Sequence, residues 1–153
     1  GLFLDRMRIR KEDYMENLPY LYGQLLKAAD ELHELYCDVV RDGQKPQELV
    51  GSSMFRSVSE SPLRMLPVLS QRIMPYYARA KVYRRKSDNE NRKHAARAGW
   101  LYRVCEQITT RLWNSQTVPS RFNDEEKAQL FIGYLASFSE KEMKLEEESN
   151  HES

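Results

Sequence analysis

Apolar residues fall at helical spacing along most of this chain. After Pro19, residues Leu21, Leu25, Ala28, Leu32, Leu35 and Val39 recur at alternating steps of four and three. That interval puts them on one stripe of a helix, with Lys27, Glu31 and Glu34 off it. Such a stripe either faces the chain's own core or pairs with another helix. Arg41-Asp42-Gly43 closes the pattern, because glycine suits the left-handed residue that follows a last helical turn. Pro46 then stands where a first helical residue would. A helix from there carries Leu49, Val50, Met54, Phe55 and Val58. Ser61-Pro62 restarts the pattern, and Leu66, Leu69, Ile73 and Tyr77 line one face. Pro67 and Pro75 each remove a backbone donor, so two short or kinked helices are expected here.

Residues 84–93 are the most polar stretch and read as an exposed connector, with Asp88 as the cap of the next helix. That helix buries Leu101, Val104, Cys105, Ile108 and Leu112. Thr117-Val118-Pro119-Ser120 is a loop, and Asn123 with Glu126 three residues on matches a capping box. The last helix then places Phe131, Leu135 and Phe138 on one face. No alternating strand pattern of useful length occurs, and no internal repeat. The expected fold is all-α, a compact helical bundle of about four to six helices over residues 12–140. An Arg-rich arm precedes it at 1–11, and an acidic tail too polar to pack follows at 141–153.

Composition adds three constraints. The chain has 153 residues, 41% hydrophobic and 31% charged, which suits one domain with a heavily charged surface. Its two cysteines, Cys37 and Cys105, do not make a disulfide framework and read as free thiols in a reducing compartment. No run approaches about 18 consecutive apolar residues, and the first residues lack the layout of a signal peptide, so a cytoplasmic location is expected.

Charge is segregated. The net charge is +1, but residues 1–55 hold 7 basic and 10 acidic side chains, residues 56–111 hold 13 and 4, and residues 124–153 hold 3 and 9. The basic middle contains Arg72, Arg79, Lys81, Arg84, Arg85, Lys86, Arg92, Lys93, Arg97, Arg103 and Arg111, with Tyr76, Tyr77, Tyr83, Trp100 and Tyr102 among them. Cations neutralise phosphate and planar rings stack on exposed bases, so these eleven residues are the candidate nucleic-acid site. No motif here reads base edges, which makes the expected binding independent of sequence. An acidic protein partner, or a basic face that merely stays solvated, would need the same charges.

Catalytic constellations are missing from the sequence. His33 and Cys37 are one turn apart, yet no spacing joins them to His94 and Cys105 in a metal-binding pattern. His33 reads as a polar-face residue and Cys37 as buried. Asp30-Glu31, Glu34-Asp38 and Asp124-Glu125-Glu126 read as solvated faces or caps. Gly51-Ser52-Ser53 lacks the glycine spacing of a nucleophile elbow, and no phosphate-binding glycine loop is present. A binding protein with no cofactor is expected, and no enzyme.

Several short motifs carry a resemblance. They are Tyr22-Gly23-Gln24-Leu25-Leu26 at the opening of the long helix, Gly51-Ser52-Ser53-Met54-Phe55, Ser61-Pro62 before the helix Leu66–Tyr77, and Phe131-Ile132-Gly133-Tyr134 after Val118-Pro119. Over about residues 20–138 the chain resembles the C-terminal helical domain of the large subunit of type I-C CRISPR surveillance complexes (Cascade). That family also makes the domain separately, as the small subunit. Where the family runs Gly-Tyr-Tyr-His-Gln-Arg, this chain reads Gly133-Tyr134-Leu135-Ala136-Ser137. The resemblance implies a non-catalytic assembly subunit. Its partners would be the repeated backbone subunit, the large subunit, further copies of itself, the guide RNA and the target or displaced DNA. The alternative from the residues alone is a helical adaptor or homodimer working through protein contacts.

Overall fold

The computed structural model describes residues 17–83, 86–115 and 117–138. The arm expected over 1–11, the tail expected over 141–153, and the candidate residues Arg84 and Arg85 lie outside them. Among the described residues five α-helices run in order: α1 (Leu18–Val40), α2 (Phe55–Glu60), α3 (Pro62–Val82), α4 (Asp88–Asn114) and α5 (Asp124–Leu135). A 3-10 turn at Ser52–Met54 leads into α2, and no strand occurs among the described residues. The fold is an all-α bundle.

Helix α1 is its axis. The Asn17 side chain accepts from the Tyr20 backbone N–H and caps the first turn, where Pro19 costs no hydrogen bond. Leu21, Leu25, Ala28 and Leu32 of the predicted stripe are buried in the chain's own core with Leu66, Leu69 and Ile73 of α3 and Leu101, Val104 and Ile108 of α4, and Val39 is buried as well. Helices α3, α4 and α5 all pack on α1, and α3 also packs on α4. Tyr22, wholly buried, donates its hydroxyl to the Pro62 carbonyl at 2.7 Å and meets Phe122 edge-on at 5.6 Å. It thereby ties the start of α3 and the loop before α5 to α1. At the other end, the Arg41 and Gly43 N–H groups both donate to the Cys37 carbonyl. The left-handed turn uses Asp42 (φ 52°) as well as Gly43 (φ 84°). The capping box of α5 forms as predicted, with Asn123 and Glu126 bonded reciprocally.

Local rules misplace several elements. Pro46 opens no helix: residues 41–48 are an exposed loop, and helical structure starts only at Ser52. Helix α3 runs unbroken through Pro67 and Pro75. Both prolines are exposed, so the Leu63 and Gln71 carbonyls they leave unpaired, themselves on exposed residues, reach water while Leu66, Leu69 and Ile73 hold the inner face. The polar connector is shorter than 84–93. Helix α4 begins at Asp88, and its cap is Ser87, whose side chain accepts from the Glu90 N–H. Asn91, predicted exposed, is buried and bonded to the Lys86 backbone through both ends of its amide. Finally, α5 does not turn Phe131 and Leu135 inward. They are 53% and 64% exposed, the buried residues are Leu130 and Gly133, and Phe138 lies beyond the helix end.

Candidate nucleic-acid interface

The candidate cations divide by position on α3 and α4. At about 100° per residue, Arg72 and Arg79 lie two turns apart on one face of α3, with Tyr76 between them. That face looks toward the C-terminal half of α1. The Arg79 guanidinium donates to the Tyr36 hydroxyl at 3.4 Å, Tyr36 and Tyr76 lie 5.2 Å apart, and Tyr76 stacks on His33 at 4.2 Å. Lys81 belongs to the opposite flank. It donates to the Tyr77 hydroxyl at 2.9 Å and sits over that ring, which in turn stacks on Tyr102 of α4 at 4.1 Å. The end of α3 thus carries a cation and stacked rings on each side.

The start of α4 continues this corner. Arg92 and Lys93 are exposed. Lys86 precedes the helix, half-buried, and pairs at 3.5 Å with Asp42, which is largely in solvent. With one partner in solvent, such a pair contributes little energy. Arg97 is more engaged, with Glu31 at 3.6 Å on one side and the Trp100 ring at 4.2 Å on the other. Trp100, proposed above as a stacking ring, is 3% exposed and has Phe138 against its edge at 5.6 Å, so no base reaches it. Arg103 is half-buried farther along α4. Arg111 stands at the far end, beside Leu18 and Leu21 in an open cleft of about 430 Å³. Arg111 is fourteen helical steps beyond Arg97, ~21 Å along the helix.

The structure therefore places Arg79 and Lys81 on opposite flanks of the end of α3, and Lys86, Arg92, Lys93 and Arg97 just before and along the first three turns of α4. It leaves Arg72 two turns back along α3, separates Arg103 and Arg111, and describes neither Arg84 nor Arg85. Two corner residues were missed: Tyr36 and His33. The available signal was their spacing of three on α1, opposite the stretch that holds Tyr76. His33 is not on a polar face. It is 8% exposed, and its Nδ1 accepts from the Val50 N–H at 3.0 Å. Burial, above all, holds this imidazole's pKa below its ordinary 6.5; Arg41 adds to the effect, while Asp30 and Glu34 oppose it.

The glycine-bearing motifs meet elsewhere, around α1 and α5. Gly23 faces the Leu130 carbonyl and the Tyr134 nitrogen, and Gly133 faces the Tyr20 carbonyl, so the two backbones cross where neither helix has a side chain. The Gln24 amide donates to the Gly133 and Ala136 carbonyls, and Lys27 also reaches Ala136. Asp30 is buried, not solvated. It accepts from the Gly51 and Ser52 N–H groups and from the hydroxyls of Ser52 and Tyr134. Burial, reinforced by the bond to Asp30, pushes the Tyr134 hydroxyl up to about 12, so it holds its proton and serves as a tie. Cys105, fully buried, is pushed up to about 12 by that burial, and Cys37 is buried as well.

Among the described residues no group of three His, Cys, Asp or Glu side chains is placed to hold a metal ion, and no helix is long and apolar enough to cross a membrane. No family model, curated protein or solved structure matches the chain.

Proposed function

We propose that this chain is a non-catalytic, nucleic-acid-binding assembly subunit of a cytoplasmic CRISPR surveillance complex. It holds the sugar–phosphate backbone at the α3–α4 corner, without reading sequence. The observation that carries this reading is the pair of flanks at the end of α3, Arg79 with Tyr36 and Tyr76 on one and Lys81 with Tyr77 and Tyr102 on the other, followed by exposed Arg92 and Lys93 at the start of α4. Exposed or loosely paired cations release counterions when phosphate replaces them, and tyrosine rings beside them suit unpaired bases. The resemblance to the Cascade small subunit supplies the setting: a guide RNA–target DNA assembly, a displaced strand, and neighbouring protein subunits. The motifs behind that resemblance form the α1–α5 crossing and the Asp30 cluster, so they bear on fold. The corner bears on binding. A helical adaptor is the second reading, favoured by the exposed apolar residues Phe131, Ile132 and Leu135.

Fluorescence anisotropy with a labelled single-stranded oligonucleotide, repeated across salt concentrations, tests the proposal. The wild-type chain should bind at low salt, weakly and with little dependence on base sequence. Each lost phosphate contact lowers the log–log salt slope by about 0.7 on a single strand. A variant with Arg79, Lys81, Arg92 and Lys93 changed to Glu should therefore lose about 3 from the slope, provided all four touch phosphate. Arg111→Glu should leave it unchanged. Absence of binding by the wild-type chain at low salt overturns the proposal, and an equal effect of Arg111→Glu moves the site away from the corner.

A further inference from the structure

Helix α5 has two apolar faces and buries only one; on the other, Phe131 meets Phe55 of α2 at 6.2 Å and is otherwise open. Leu130 and Gly133 are buried against α1. On the outer side, Ala128, Phe131, Ile132 and Leu135 follow the i, i+3, i+4, i+7 spacing of a buried stripe. Yet all four are exposed, the last three at 53%, 45% and 64%. Exposed Asp124 and Glu125 stand at the head of this stripe. A contiguous apolar strip on the surface of a charged protein signals a surface meant to be covered.

The chain itself leads to a cover. It enters the described fold at Asn17, whose Nδ2 donates to Gln129 Oε1 of α5 at 3.2 Å. Gln129 lies one helical step from Ile132, so the preceding residues join the bundle at the edge of the stripe. Within residues 1–16, the stretch 2–11 holds Leu2, Phe3, Leu4, Met7 and Ile9 together with Arg6, Arg8, Arg10 and Lys11 against the single acid Asp5, while Glu12, Asp13 and Glu16 follow it. The apolar set matches the outer stripe, and the basic set matches Asp124 and Glu125. Reach is ample: sixteen residues extend up to ~50 Å, against ~18 Å for the twelve of α5. The other end of the described chain is led away, because Ala136 is bonded to Gln24 and Lys27 while Phe138 is anchored on Trp100 of α4.

We infer that the outer stripe of α5 is the docking surface for the chain's own residues 2–11, with Leu2, Phe3, Leu4, Met7 and Ile9 covering Phe131, Ile132 and Leu135 and the arginines meeting Asp124 and Glu125. This goes beyond the nucleic-acid reading and does not depend on it. The test uses the full chain carrying Arg8→Cys with a paramagnetic label, since Cys37 and Cys105 are buried. Amide signals of Phe131, Ile132 and Leu135 should lose intensity several-fold, while those of exposed Leu63 and Met74 on α3 keep theirs. In a mixture of spin-labelled chains with isotope-labelled chains lacking the spin label, the loss should vanish. Adding Phe131→Asp and Leu135→Asp, both at exposed positions, should restore the signals. No loss on α5, loss that persists in the mixture (a second copy on the stripe), or loss that survives the aspartates would each overturn the inference.

Discussion

Two glycines set how closely α1 and α5 approach. A Cβ on Gly23 would overlap the Leu130 carbonyl and the Tyr134 nitrogen, and one on Gly133 would overlap the Tyr20 carbonyl. These are backbone atoms, so relief requires moving a helix. Gly23→Ala and Gly133→Ala should each lower the unfolding free energy by about 3 kcal/mol. Gly99, in the middle of α4, has nothing within 4 Å of an added Cβ. There the same change should raise stability by about 0.5–1 kcal/mol, because alanine restricts the unfolded chain and favours the helix. Urea denaturation of the three variants reads both signs, and a loss at Gly99 comparable to the others would refute the crowding argument. His33 gives a prediction of another kind. Its pKa is lowered in the fold, first by burial. As pH falls below the ordinary value of 6.5, the unfolded chain takes up a proton that the folded chain does not. Stability is therefore lost from that pH downward to the folded value, and above it His33 adds no pH dependence. His33→Asn keeps an acceptor for the Val50 N–H without titrating. Its urea midpoint should fall less than the wild type's between about pH 7.5 and pH 5.5. Parallel profiles would show that His33 is protonated equally in both states.

At the scale of the element, α3 shows packing overriding local preference. Two interior prolines cost backbone hydrogen bonds, but both stand on the solvent face of a helix whose inner face is fixed by Leu66, Leu69, Ile73 and Ala80. Pro67→Ala and Pro75→Ala remove no buried contact and restore a donor each. Each should raise stability by about 1 kcal/mol or more, part of the ~3 kcal/mol that proline costs inside a helix. Thermal unfolding followed by circular dichroism measures this; a fall in melting temperature would mean that the prolines serve packing not evident from their exposure. The same helix marks the limit of what the sequence makes legible. The stripe Leu21–Val39, the α4 core and the Asn123 capping box could be read because each is set by residues three or four apart on one helix. The fate of Pro67, Asn91 and Phe131 could not, since each depends on which face a neighbouring helix takes. For the site, the cations and tyrosines of the middle third were legible from composition. Their division between the Tyr36 and Tyr102 flanks, the burial of Trp100 and the isolation of Arg111 follow from how α1, α3 and α4 pack on one another, which no local spacing encodes.

Across the whole molecule, stability is unevenly spread. Helix α4 buries eight residues, among them Leu101, Val104, Ile108 and Leu112, whereas α5 buries Leu130 and Gly133 out of twelve. Beyond Leu130, the close glycine crossing and Phe55 against Tyr134, what holds α5 is polar: Gln24 and Lys27 on the carbonyls of Gly133 and Ala136, and the Asp30–Tyr134 bond. Releasing α5 exposes little apolar surface, while releasing α4 dismantles the core shared with α1 and α3. Native-state hydrogen exchange should resolve the two. Amides of Leu130 and Tyr134 should exchange through a local opening that responds weakly to denaturant. Amides of Val104 and Ile108 should exchange only at the free energy and denaturant dependence of global unfolding. Gln24→Leu keeps the side chain's bulk but strips the Gly133 carbonyl of its side-chain donor, worth about 1 kcal/mol, and leaves Ala136 to Lys27 alone. It should therefore speed exchange in α5 several-fold more than in α4. If α5 and α4 exchange at one common free energy in both proteins, the bundle opens as a single unit and the polar ties carry no separate weight.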